Sequence, residues 1–159
     1  MLVLALPLLL AACGFQPLYG ETQMGVVAAQ FAETEVAVIP NRSGQILRNY
    51  LIEDLNPSGR PDDPAYVLNV GLNETFRDLA IRKDATATRA NLIVSASYRL
   101  RNGDGEPLTS GSVQTITSYN ILRDEFATLS AERDARDRAL RQISEDISTR
   151  LALYFNREP

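Results

Sequence analysis

Residues 92–105 read Leu-Ile-Val-Ser-Ala-Ser-Tyr-Arg-Leu-Arg-Asn-Gly-Asp-Gly, and this stretch decides the fold. Leu92, Val94, Ala96, Tyr98 and Leu100 alternate with Ile93, Ser95, Ser97, Arg99 and Arg101. Successive side chains of a strand point to opposite faces, so a period of two marks one buried face and one wet face. Asn102-Gly103-Asp104-Gly105 then supplies residues that tolerate positive φ, as a tight turn requires. The partner strand is expected from Leu108 to about Ile121, with Val113, Thr115 and Thr117 on one side and Gln114, Ile116 and Ser118 on the other. Upstream, Tyr66, Leu68, Val70 and Leu72 oppose Asn69, Gly71 and Asn73, which predicts another half-buried strand continuing less regularly through Phe76 to Ile81. The polar segment from Arg82 to Arg89 turns the chain between these two strands.

Periodicity changes after residue 125. Leu140, Ile143, Ile147, Leu151 and Tyr154 recur at spacings of three and four, and the stripe extends back through Ala135 or Arg136 toward Leu129 and Phe126. A rod of about 28 residues would be roughly 42 Å long, enough to cover a small sheet. Opposite the stripe, Glu132–Arg136, Asp134–Arg138, Asp137–Arg141 and Asp146–Arg150 are acid-first pairs four apart, each worth about 0.2–0.5 kcal/mol. A membrane-surface helix would show a polar face dominated by Lys and Arg, so the balanced charge favours packing on the sheet. A shorter helix is expected from an N-cap at Ser43, through Ile46, Leu47, Tyr50, Leu51 and Leu55, to about Asn56, where Pro57 and Gly59 end it. Before it, Val36 and Val38 against Glu35 and Ala37 suggest a short strand over Thr34–Ile39, stopped by Pro40 and Asn41. The resulting order predicts an α+β two-layer sandwich, with two helices packed on one face of a mainly antiparallel four-stranded sheet. The other face would carry Asn69, Asn73, Ser95, Ser97, Arg99 and Arg101, facing either water or the aqueous lumen of another protein.

The amino terminus has a different character. Met1 to Ala12 carries no charge, yet it is too short to cross a hydrocarbon core, which takes about 20 apolar residues as helix. It suits the apolar region of a signal peptide, and Leu10-Ala11-Ala12-Cys13 reads as a bacterial lipoprotein processing site. Small residues before Cys13 fit a peptidase cleft, and its thiol would accept a diacylglyceryl chain. The freed amine can take another acyl group, and two anchoring signals together hold a protein on a membrane. The plainer reading is a buried first element with a core cysteine. No Lys or Arg precedes the apolar run, which departs from the usual pattern. The expected organisation is a signal peptide over 1–12, a lipidated tether over 13–30 and a single α+β domain over 31–159.

Composition excludes several classes. The chain has 159 residues with 45% hydrophobic and 23% charged content, ordinary for a globular protein. Its one cysteine is Cys13, so no intramolecular disulfide is available. The absence of histidine removes the commonest general base and metal ligand, so no metal or other cofactor is expected. Asp62 and Asp63 lie in a Pro-rich turn, where adjacent carboxylates are solvated, and Gly103 and Gly105 belong to a hairpin and not to a phosphate loop. The chain therefore does not read as an enzyme. A net charge of −4 would repel nucleic acid, so any anionic ligand must meet a local basic cluster.

Cys13-Gly14-Phe15-Gln16-Pro17-Leu18-Tyr19 resembles the start of mature LPS-assembly lipoproteins of the LptE family. Ser118-Tyr119-Asn120, Phe126-Ala127-Thr128-Leu129 and Ala131-Glu132-Arg133-Asp134-Ala135 are similar to the alphaproteobacterial branch, so the likeness spans nearly the whole mature chain. The resemblance implies an outer-membrane lipoprotein on the periplasmic face. It would be a subunit that plugs a large LPS-translocating β-barrel, assists the barrel's folding and binds lipopolysaccharide during delivery. Gly14, in place of an aspartate after the cysteine, is compatible with export to the outer membrane. The densest cationic candidates for lipopolysaccharide contact are Arg77, Arg82, Lys83 and Arg89, around the bend between two strands, because phosphate and carboxylate groups need cations and Arg offers a bidentate fork. Asp78 and Asp84 partly neutralise them, and a merely solvated turn is the competing reading. The alternative function is another periplasm-facing envelope lipoprotein acting as a scaffold or binding module.

Overall fold

The alternation in residues 92–100 becomes one side of a long sheet: Leu92, Val94, Ala96, Tyr98 and Leu100 are all buried. The computed structural model describes residues 21–81 and 87–157. In chain order the elements are α1 (Glu21–Ala32), β1 (Thr34–Val36), α2 (Asn41–Leu55), β2 (Tyr66–Ile81), β3 (Ala87–Asn102), β4 (Pro107–Asn120) and α3 (Glu125–Phe155). The strands lie in the order β1-β2-β3-β4. β1 runs parallel to β2, with Thr34 opposite Tyr66, and the other pairings are antiparallel. The expected α+β architecture is present, with a mixed sheet and the helices on one face.

The core lies between the sheet and the helices. Leu68 and Val70 from β2, the even-numbered residues of β3, and Val113 from β4 meet Leu47, Leu51 and Leu55 of α2 and Leu140, Ile143, Ile147 and Leu151 of α3. Fully burying a Leu or Ile side chain is worth about 1.5–3 kcal/mol, so this one layer dominates the stability of the domain. At the end of α3, the Phe155 ring meets those of Phe31, Tyr66 and Tyr154 edge-on, at 6.1, 5.1 and 5.5 Å between centroids. The hairpin closes as its Gly-rich sequence requires, with Gly105 at φ 86° and its N–H donating to the Asn102 carbonyl at 3.0 Å.

Four local features differ from the pattern read along the chain. Part of the stretch expected as a lipidated tether, 13–30, is helical and belongs to α1, and Val27 and Phe31, four residues apart, both pack against the core. A third helix therefore joins the two that periodicity announced. β1 ends at Val36, and Val38 is 81% exposed while Ile39 is buried, because the chain leaves the sheet there to enter α2. Ser43 is not the N-cap. The helix starts at Asn41, whose φ of 68° turns the chain into it, and Pro40 occupies the cap without a side-chain hydrogen bond. Finally, Phe126 and Leu129 do not extend the buried stripe of α3, being 77% and 41% exposed; burial begins at Ala135.

Candidate functional site

The strand alternation that buries one face exposes the other. Register places Val67, Asn69, Gly71, Asn73, Thr75 and Arg77 of β2 beside Arg101, Arg99, Ser97, Ser95, Ile93 and Asn91 of β3. β4 continues this face with Ser110, Ser112, Gln114, Ile116, Ser118 and Asn120. Side chains tie the carpet together: Gln114 donates to the Ser95 hydroxyl at 3.0 Å, and the Ser118 hydroxyl donates to Asn91 at 2.7 Å. Ile93 stands opposite Ile116, which is 57% exposed and makes a small apolar island.

The charge on this face is one-sided. Arg77, Arg89, Arg99 and Arg101 lie on it, whereas Glu35 on β1 is the one carboxylate that the described register places there. Arg89 stands opposite Asn120, two residues from Asn91, the partner of Arg77, so the two arginines are diagonal neighbours. Among the described residues, none of the four joins an ion pair. The Nε of Arg101 is buried without a hydrogen-bond partner. The geometry offers planar cationic donors on a hydroxyl- and amide-rich surface, suited to phosphate or carboxylate groups.

Of the residues singled out from sequence, Arg89 is exposed and belongs to this face together with Arg77. Cys13, Arg82 and Lys83 lie outside the described residues. Arg99 and Arg101 occupy the polar face as expected, at the opposite end of β3 from Arg89.

A second feature escaped the sequence reading. A groove of about 910 Å³ opens between the start of α2 and the first half of α3, lined among others by Arg42, Ile46, Glu74, Arg133 and Arg136. Glu74 follows Leu72 on the helix-facing side of β2, and Arg136 reaches it with Nε at 3.1 Å while its Nη2 binds Glu132 at 2.6 Å. Burial works against the charge on Arg136. The hydrogen bonds to Glu132 and Glu74, with their charges, outweigh that effect and raise its pKa above the ordinary value. The guanidinium also sits over the Phe76 ring, 5.8 Å from its centroid. The signal was available: Glu74 and Arg136 are charged residues at positions where the apolar pattern calls for hydrophobes.

The family model for LptE, lipopolysaccharide assembly, matches residues 31–151, from the end of α1 to the last turns of α3. The chain belongs to the LptE family. Solved structures share the fold of this LptE-family chain at low identity. A lipoprotein from Caulobacter crescentus CB15 is 21% identical with a TM-score of 0.70, over 84% of this chain and 97% of that one. The rare lipoprotein B of Shewanella oneidensis is 12% identical with a TM-score of 0.59, over 76% and 93%. A minor lipoprotein of Acinetobacter baumannii is 20% identical with a TM-score of 0.54, over 75% and 94%. Comparison with curated protein sequences gave no match. Among the described residues, no helix is long and apolar enough to cross a membrane, and no cluster of acidic or cysteine side chains could hold a metal ion.

Proposed function

We propose that this protein is an outer-membrane lipoprotein subunit of lipopolysaccharide assembly, anchored through acylated Cys13 on the periplasmic face and fitted into a lipopolysaccharide-translocating β-barrel. Its work is recognition and support of the barrel's folding, without catalysis. Family membership supplies the process. The observation that carries the mechanism is the uncovered sheet face, polar across three long strands and charged almost wholly by arginine. The lumen of a transmembrane barrel is polar, so a plug must present polar surface, and lipopolysaccharide carries anionic groups that arginine binds well. Arg89, with Arg82 and Lys83, is the cluster proposed to meet lipopolysaccharide.

Co-purification in detergent tests the reading. The acylated chain is expected to emerge with one large heat-modifiable β-barrel in near-equal amount, and recovery alone would return the scaffold alternative. Cys13→Ser is expected to abolish palmitate labelling; an unchanged signal would remove the anchor. Replacing Arg82, Lys83 and Arg89 together with Gln is expected to weaken lipopolysaccharide binding, and undiminished binding would discard that cluster.

A further inference from the structure

The two edges of the sheet are defended very differently. β1 is three residues long, contains Glu35, and gives way after Val36 to Pro40 and α2. Beyond Leu68, where β1 stops, β2 carries Glu74 and Arg77, and the entrance of α2 lies beside it, with Pro40, Asn41 and Ser43 across a small cavity from Leu72, Asn73 and Glu74. Short strands, charges, prolines and covering elements are the ordinary protections of an edge. Among the described residues, the opposite edge has none of these past its first residue. β4 runs for 14 residues, Pro-Leu-Thr-Ser-Gly-Ser-Val-Gln-Thr-Ile-Thr-Ser-Tyr-Asn, without one charged side chain, and its only proline is its first residue. Its single irregularity against β3 lies at Leu100/Arg101, next to the turn. Among the described residues no strand pairs with its outer side.

We propose that the outer edge of β4 is an interaction surface that takes an extended, uncharged segment of the β-barrel partner as a fifth strand. This rests on the barrel partnership proposed above and names where that contact is made. The outer side of an edge strand is complemented by another extended backbone, and an uncharged edge sets no electrostatic barrier to a neutral strand. Flanking side chains fix the character of the guest. Ser110, Ser112, Gln114 and Ser118 present polar neighbours on the open face, matching the polar residues that line a barrel lumen. A second copy of this chain is the weaker occupant, because α3 packs chiefly over β4 and a twin would have to bring its own 31-residue helix alongside. A single extended segment brings no helix.

The test uses the full acylated chain with its barrel in detergent. Hydrogen exchange is followed in the free chain and in the complex, and barrel recovery is compared for wild type, for Ser112→Lys with Ile116→Lys on β4, and for Gln142→Lys, an exposed position on α3 away from the sheet. Exchange at alternate β4 amides, read against those of β3, separates edge from face. The expected result is at least tenfold slower exchange of alternate β4 amides in the complex. The β4 double variant should lose most of the barrel, and Gln142→Lys should keep it. Unchanged β4 exchange in a complex that does form would overturn the edge contact while leaving the barrel partnership standing, as would full recovery by the β4 variant. A wild-type chain that brings no barrel would overturn the partnership and this contact with it. A chain that sediments as a dimer, and becomes monomeric with the two lysines, would replace the barrel segment by a second copy.

Discussion

At Gly44 a single missing methyl group decides how α2 joins the sheet. A Cβ there would lie 2.7 Å from Cγ2 of Ile39 and 2.9 Å from its carbonyl oxygen, so the buried Ile39 and the first turn of the helix approach each other only because residue 44 is glycine. Alanine would ordinarily gain about 1 kcal/mol in a helix interior. Here the obstruction is partly backbone and cannot swing away, and overpacking of this kind costs about 1–3 kcal/mol. Gly44→Ala is therefore expected to lower stability in urea titrations, against its helix propensity; a gain in stability would show that Ile39 yields freely. Asn56 makes the opposite use of a buried residue. Its amide nitrogen donates to the carbonyls of Phe31 at 2.9 Å and Thr34 at 3.2 Å, fastening the end of α1 and the start of β1 to the C-cap of α2.

At the scale of elements, the seam between α2 and α3 shows which sequence rules survived tertiary contact. Glu132–Arg136 and Asp134–Arg138 form as intrahelical pairs. Asp137, expected to serve Arg141, instead accepts from the Tyr50 hydroxyl on α2, while the Arg141 guanidinium stacks 4.2 Å from the centre of the same ring. The hydrogen bond to Asp137 is the leading cause that raises the Tyr50 phenol above its ordinary pKa of 10.0, with burial and the Asp137 charge adding to it. A raised pKa in the fold means that the neutral phenol stabilises it. That contribution is fully present below pH 10 and fades as pH climbs through the higher folded value. Tyr50 lies near the surface, so screening holds the effect to a few tenths of a kcal/mol. Tyr50→Phe is expected to flatten the loss of stability as pH rises above 10 in urea titrations, and an unaltered alkaline limb would refute the assignment. The three long strands and the two longer helices were legible because each has one sustained period, as in Leu92–Leu100 or Ala135–Leu151. The missing helix α1 was not, since it is held by the pair Val27 and Phe31 and shows no stripe. The groove around Glu74 and Arg136 was hidden for a related reason: each residue breaks its own pattern, and only the crossing of β2 by α3 reveals that they answer each other.

For the whole molecule, fold and recognition draw on separate faces of one sheet. The helix-facing side holds the apolar residues that make the domain stable, and the open side carries the four arginines, which contribute little to packing. An excess of acidic residues overall, with net charge −4, makes that face a local exception to the molecule's own field. Replacing Arg77, Arg89, Arg99 and Arg101 by Gln should therefore separate folding from association. Arg77, Arg89 and Arg99 are exposed, and exposed charges are individually worth under about 1 kcal/mol to stability. Arg101, half-buried with an unpartnered Nε, gives up a desolvated charge when it becomes Gln, which offsets the loss of its stem contacts. The melting transition is expected to stay within a few degrees of wild type. Binding to purified lipopolysaccharide should fall and lose most of its dependence on salt, because contacts between arginine and anionic groups are weakened by screening ions. A variant that melts normally and binds with the same affinity and salt dependence would show that the face is only solvated. One that unfolds would place these arginines among the residues that hold the sheet together.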